Sequence, residues 1–571
     1  MYLRSLFPEP PPAPAQNVHH FFFGRPDQSQ WPDYNIHIDI ETDRKRTFKE
    51  VKDRVKEALT AFGSPLKDGG VEFGGAGSEE MIGIMSENSS DYMVLVHALL
   101  ANATPFSLIS AYSTRFELLH AFKLSKISRL FVQPKHLQHA LSVAKEVGLP
   151  FTNIYIIGGH VKGYQSLSGM SDRARKARLP QIPAQPVKQD TLAYLVFSSG
   201  TSGLPKAVMI THGNLIYSLH QSVIVGQVTA EVAPPPQGIP VSLAFLPMHH
   251  SYGLHAYCFR SLLAPSTYII MPKWNIDAAL RAIPKYRVTN LALIPSVVHQ
   301  LVNHPRISSI DLSSVRHVGS GAAYLPPQLS SRMKALTPKD STITEGYGMS
   351  ECTIAALAQV LDGTLNGRGK LIPGSSGILL PGMEARIVRD DGSEAEFDEV
   401  GELWLKSPNV SPGYWNNETA NKETFVDGWL KTGDRFSVNG EGYFFFADRA
   451  KDTLKVSGTQ VSPVEIENVF LVHPEKLISD VTVAGVSGGR TSDEKVPRAW
   501  VVLSTAGKKK GPAAVIKALD EWQQENLSKY KWTRGGIEVV KEIPKSPTGK
   551  TLRRVLVDKY ERRFKRVKSK L

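Results

Sequence analysis

Cysteine is almost absent: Cys258 and Cys352 are the only two in 571 residues. Disulfides therefore carry no part of the fold, a reducing compartment is expected, and a cysteine-based zinc site is excluded. An HExxH zinc motif is missing as well. No apolar run reaches the roughly 18–20 residues that span a bilayer, so no transmembrane segment is expected. The stretch from Met1 to Gln16 is broken by Pro8, Pro10, Pro11, Pro12 and Pro14. It lacks the continuous apolar core of a secretory signal and reads as an extended leader. Aromatic platforms interleaved with basic residues, helix-turn-helix patterns and RNA-binding signatures are also lacking, which argues against a nucleic-acid partner.

The net charge of +13 has a location. Residues 449–571 hold 26 Lys+Arg against 14 Asp+Glu, nearly the whole excess. Part lies at Lys508-Lys509-Lys510 and part between Arg562 and Lys570, so a basic terminal unit could meet a polyphosphate ligand. The chain is too long for one hydrophobic core, and at least two domains are expected.

A helix is predicted from Phe48 to Phe62, where Phe48, Val51, Val55, Leu59 and Phe62 share a face. Thr47 and Glu50 form a capping box and Gly63 closes the helix. Apolar strand-like runs then alternate with helical stretches: Met81–Met85, Arg129–Val132, Ile154–Ile157, Leu192–Phe197, Val241–Leu246, Thr267–Met271, Asn290–Ile294 and Val315–Val318. Such alternation indicates an α/β fold with mostly parallel sheets covered by helices. From about Gly377 to Ala447 short strands and turns, such as Gly401–Lys406 and Tyr443–Ala447, suggest a small barrel-like β subdomain. The remainder, 449–571, is large enough for a separate α+β unit after a first domain of 1–448. Pro234–Pro236 and Gly507–Pro512 read as surface loops.

The most informative segment is Leu195 to Lys206. A buried strand runs into Ser198-Ser199-Gly200-Thr201-Ser202-Gly203 and ends at Pro205-Lys206. Glycines let backbone N–H groups turn inward, hydroxyls add donors and the lysine adds charge, a combination suited to phosphate oxygens. The spacing is not that of a P-loop, because Pro205 precedes the lysine and no Gly-Lys-Ser/Thr opens a helix.

This run resembles the pyrophosphate-binding loop of the acyl-adenylate-forming enzymes, which include acyl-CoA synthetases, coumarate–CoA ligases, luciferases and peptide-synthetase adenylation domains. The resemblance extends from about Asn35 to Arg554. It implies a large domain of two helix-covered sheets followed by a small, mobile C-terminal domain. Glu345-Gly346-Tyr347-Gly348-Met349-Ser350-Glu351 is similar to the family's second adenylate motif. By that resemblance Tyr347 stacks on adenine, Ser350 bonds the α-phosphate and Glu351 holds Mg²⁺. Where Glu345 stands the family more often has glutamine. Ser320-Gly321-Ala322-Ala323 matches the adenine-pocket segment, and Asp434 in Thr432-Gly433-Asp434 matches the aspartate that accepts from both ribose hydroxyls.

Asp448-Arg449-Ala450-Lys451 implies a nucleotide contact at Arg449 and a hinge at Lys451, with Lys455, Gly458 and Gln460 reaching the coenzyme A side after rotation. Pro544 to Lys550 resembles the motif that carries the adenylation lysine, Lys550. By the same resemblance His250 occupies the aromatic or histidine position that lines the family's acyl pocket, beside Ser251, Tyr252 and Ser320, and is expected to gate thiol access. The implied activity is ATP-dependent acid–thiol ligation through an acyl-adenylate, with coenzyme A as co-substrate. A luciferase-like oxygenase and an adenylating enzyme acting on a carrier protein are the alternatives. The mixed small and aromatic pocket residues suit an aryl, arylalkanoic or medium-chain fatty acid. Ser569-Lys570-Leu571 reads as a peroxisomal address, recognised by an import receptor. A monomer or homodimer is expected.

Overall fold

The computed structural model describes all residues except 199–204, 234–237, 450–453, 457–458, 488–494, 528, 547–548, 550 and 569–571. Two large sheets dominate. The first has six strands in the order Ile154–Ile156, Arg129–Val132, Ile82–Met85, Phe106–Ile109, Leu192–Ser198 and Lys206–Thr211. All pair in parallel except the last two, which form an antiparallel pair. The second has nine strands. Its centre is parallel, running Thr342–Tyr347, His317–Ser320, Asn290–Leu293, Val241–Ala244, Thr267–Ile270 and Asn35–Asp39. Its edges, Lys45–Thr47, Leu357–Ala358 and Ile378–Leu379, are antiparallel.

One hydrophobic core joins both sheets. The helix Ser90–Ala101 lies within it, buried from Tyr92 through Ala101, as expected of a helix that is apolar on every face. The predicted amphipathic helix forms at Phe48–Gly63, and its Thr47–Glu50 capping box is present. Such a cap contributes about 1 kcal/mol. Gly63 is the last helical residue rather than the stop, and Ser64 takes the cap position.

A third, antiparallel sheet carries Glu384–Val388, Gly401–Lys406, Trp429–Val438, Phe425–Val426 and Phe444–Arg449. Its outer strand is Tyr2–Arg4, paired with Glu384–Val388. The extended leader is therefore partly a strand, and the terminal amine of Met1 pairs with Glu394 at 2.6 Å. The last predicted strand run also shifts: Val315–Val318 becomes His317–Ser320.

After residue 454 come a two-stranded ribbon, Leu454–Val456 with Thr459–Val461, and a three-stranded sheet, Ile478–Ser487, Lys495–Leu503 and Ile537–Val539. Two hydrophobic clusters there draw on no residue before Leu454. The predicted loop at Gly507–Pro512 is instead the abutment of two helices, Thr505–Lys510 and Pro512–Asn526. Gly511, at φ 89°, ends the first helix, and Pro512 opens the second where no amide partner is needed. Pro234–Pro236 lies outside the described residues. Among the described residues no helix is long and apolar enough to cross a membrane.

Candidate active site

Parallel sheets leave their ligand crevices beyond the carboxyl ends of the strands, where chain direction changes. Both large sheets do this here towards one cavity of about 1600 Å³. Ser198 ends a strand of the first sheet; Ser320 and Tyr347 end strands of the second. Ser198, Lys206, His250, Ser251, Tyr252, Ser320, Gly321, Ala322, Glu345, Gly346, Tyr347, Gly348, Ser350, Glu351 and Asp434 all line this cavity. Residues separated by more than 200 positions are thus brought together.

The predicted phosphate loop is the connection of a β-hairpin, because Ser198 pairs directly with Lys206. Residues Ser199, Gly200, Thr201, Ser202 and Gly203 lie outside the described residues. Lys206 stands 4.5 Å over the ring of Tyr414. Tyr414 is held because Met209 N donates to Gly413 O at 3.0 Å and Trp415 N donates to Ala207 O at 2.8 Å. Its phenol donates to Glu351 Oε1 at 2.8 Å. Burial raises the Glu351 carboxyl above its ordinary value, and bonds from Tyr414 and Ser198 with the charge of Lys206 oppose that rise.

Beside Glu351, Ser350 and Ser251 share a hydrogen bond of 2.9 Å. His250 caps the short helix Ser251–Leu254, with Tyr252 N donating to its Nδ1 at 3.4 Å. Ala322 holds the left-handed region at φ 70°, a strained conformation for a residue with a Cβ. The Ser320 hydroxyl is buried with no hydrogen-bond partner.

Across the cavity the phenol of Tyr347 donates to Asp434 Oδ2 at 2.7 Å. Gly433 N donates to Glu402 Oε1 at 3.0 Å and fixes the turn before Asp434. Glu345 also faces the cavity, and burial pushes its carboxyl up to about 7.

The C-terminal segment closes the wall. Lys545, Gly549 and Thr551 line the same cavity, flanking Lys550, which itself lies outside the described residues. Gly549 packs so tightly that a Cβ there would stand 2.6 Å from Ser296 Oγ and 2.7 Å from Ile294 Cδ1. Lys545 pairs with Asp480 at 2.7 Å, and His299 Nε2 bonds Ser479 O across the seam. Lys451, Gly458 and Ser569-Lys570-Leu571 are outside the described residues. For Arg449, Lys455 and Gln460 the backbone alone is described: Arg449 sits opposite Asp434, and Lys455 opposite Gln460.

Lys206 near Glu351, with the hydroxyls of Ser198 and Ser350 lining the same cavity, can order an anionic chain there. Residues 26–415 match the AMP-binding enzyme family and 465–550 its C-terminal domain. The chain belongs to the AMP-binding enzyme family.

This AMP-binding enzyme is 32% identical over 491 residues to an acyl-CoA ligase of Alternaria alternata, covering 83% of this chain and 82% of that one. It is 31% identical over 501 residues to a probable 4-coumarate–CoA ligase of Dictyostelium discoideum, covering 84% and 85%. Its fold matches a crystal structure of an anthranilate CoA ligase in complex with anthranoyl-AMP, with a TM-score of 0.80, 23% identity and 98% and 99% coverage.

Several cavity residues of the AMP-binding enzyme have no local signature. Tyr414 reaches Glu351 across 63 positions of sequence. Arg260, Tyr268 and His317 enter the cavity from separate elements. Arg260 has one faint signal: Tyr252, Ala256, Arg260 and Leu263 follow a helical face, and all four line the cavity.

Proposed function

We propose that this chain is an AMP-forming carboxylate–CoA ligase. It joins a carboxylic acid to ATP with loss of pyrophosphate, then transfers the acyl group to coenzyme A with loss of AMP. The observation that carries this reading is the convergence of Lys206, Ser350, Glu351, Tyr347 and Asp434 on one cavity closed by the residues flanking Lys550. The relatives are CoA ligases, so luciferase-like and carrier-protein readings are not favoured.

Two anions must meet in the first step, so positioning and charge neutralisation supply most of the acceleration. Lys206 and the hydroxyl loop hold the outgoing phosphates. Ser350 donates to the α-phosphate, where charge builds during attack. Tyr347 presents its ring to adenine while its phenol orients Asp434, whose carboxylate accepts from the ribose hydroxyls. Lys550 bridges the two reacting groups. Glu351 fits a magnesium ion: it is a buried carboxylate among phosphate-binding groups, and Mg²⁺ characteristically takes one or two carboxylates with phosphates and water. Bound there, the ion neutralises triphosphate charge.

For the second step the 449–571 unit turns about Lys451, withdraws Lys550 and brings Lys455, Gly458 and Gln460 to the thiol's approach. His250 gates that approach. The acid belongs to the aryl, arylalkanoic or medium-chain class. Ser569-Lys570-Leu571 supports a peroxisomal destination, and a fluorescent fusion with and without Leu571 tests it. AMP release from a panel of acids, with and without coenzyme A, tests the activity. Release that needs both an acid and the thiol supports the proposal; release indifferent to every acid overturns it.

A further inference from the structure

The cavity has a deep end that the adenylation chemistry does not use. It runs from Ser320, at the carboxyl end of its strand, past His317 at the start of the same strand, and reaches Ser242 and Asn290 at the starts of theirs. Three residue steps along a strand measure roughly 10 Å. Arg260 lines the same cavity, on the helical segment that begins at Ser251.

The guanidinium of Arg260 has no carboxylate beside it. Its Nε is buried without a hydrogen-bond partner, and among the described residues it forms no ion pair and no ring contact. The charged and titratable groups near it are the phenols of Tyr252 and Tyr268 and the imidazole of His255. His255 is held neutral by burial and accepts or donates to Tyr194 OH at 3.0 Å, so it offers no counter-charge. Glu345, on a strand of the second sheet, also lines the cavity, and burial is what raises its carboxyl. Arg260 is half-buried, its open side facing the cavity, and a cation partly withdrawn from water with no counter-charge is costly to hold. It persists where a ligand completes it.

We propose that the acid activated here carries a second carboxylate at its far end, and that Arg260 receives it. The inference rests on the ligase reading and deepens it by naming the substrate class: a dicarboxylic acid of medium length, or an aryl acid with a carboxylate across the ring. The separation of the two carboxylates follows from the fold. Ser251, bonded to Ser350 at the reacting end, precedes Arg260 by nine helical residues. The segment is α-helical to Leu254, π-helical to Phe259 and 3₁₀ from Arg260, so the rise between them is on the order of 10 Å. Tyr252 and Tyr268 line the path, and their phenols add donors at the far carboxylate.

AMP release by the full chain with suberate, octanoate, 4-carboxycinnamate and cinnamate tests the assignment, using wild type, Arg260→Met and Arg260→Lys. Each diacid should exceed its mono-acid in kcat/KM by about ten-thousandfold in wild type, the scale at which sites built for a polar group reject analogues lacking it. Arg260→Met should reverse that order while leaving KM for ATP unchanged, and Arg260→Lys should retain part of the preference. Should Arg260→Met fail to fold, the wild-type panel and Arg260→Lys still decide. A wild-type preference for octanoate and cinnamate would overturn this inference and leave the ligase reading standing. No pyrophosphate exchange with any acid would sink the ligase reading, and this inference with it.

Discussion

The phenol of Tyr414 donates to Oε1 of Glu351 across 2.8 Å, in a part of the cavity where burial works against the carboxylate charge. The bond favours the ionised form that phosphate chemistry with a cation requires. Tyr414→Phe removes this stabilisation and lets the Glu351 carboxyl rise further. The acid limb of the pH profile for pyrophosphate exchange should therefore move to higher pH, with the plateau rate reduced less than the limb is displaced. An unmoved limb would show that Tyr414 does not control this group.

Lys550→Ala separates the two half-reactions. Adenylation should fall by about a hundredfold or more, the range typical of removing a transition-state donor. Thiolysis of supplied acyl-AMP should stay within a few-fold of wild type, because the lysine is withdrawn for that step. Equal loss in both assays would contradict the role assigned to it.

Gly549→Ala probes docking of the same loop. The added Cβ meets Ser296 and Ile294 at less than 3 Å, and φ at Gly549 is 80°. The left-handed backbone alone costs a Cβ-bearing residue roughly 1–2 kcal/mol. Adenylation should drop at least tenfold in stopped-flow single-turnover measurements, with thiolysis again spared.

Glu345 gives a pH dependence of known sign. Burial pushes its carboxyl up to about 7, against an ordinary value near ~4.3. Between those two values the folded chain keeps a proton that the unfolded chain has released. Stability is therefore greatest below the lower value and declines as pH rises through the window, by up to ~1.4 kcal/mol per unit. Glu345→Gln should remove this slope, read as the difference in urea midpoints between the two chains across pH 4.5–7.

Much of the site was legible because phosphate and ribose chemistry demands particular side chains at short spacing. Ser198 through Lys206, Glu345 through Glu351, and Thr432 through Asp434 each occupy a few consecutive residues, and all three runs reach the cavity at the described positions. The strand–helix alternation likewise follows from apolar runs of strand length. Other features depend on tertiary approach and leave no local trace. Nothing in the sequence around Tyr414 announces Glu351, and the helical spacing of Tyr252, Ala256, Arg260 and Leu263 gives only a faint sign of a cation facing a cavity. Tyr2–Arg4 is a three-residue edge strand, too short to carry an alternating pattern. At Gly511-Pro512 the same two residues that mark loops serve as a helix stop and a helix start, so the pair alone does not distinguish a surface loop from two abutting helices.

The central claim is that one cavity, closed by the loop of Lys550, makes an acyl-adenylate. Exchange of labelled pyrophosphate into ATP by wild type, Glu351→Gln and Lys550→Ala, with a suitable acid present, tests it most directly. Acid-dependent exchange by wild type, lowered by about a hundredfold in each variant, is the predicted result. Exchange that persists unchanged in both variants, or fails in wild type with every acid, contradicts the account.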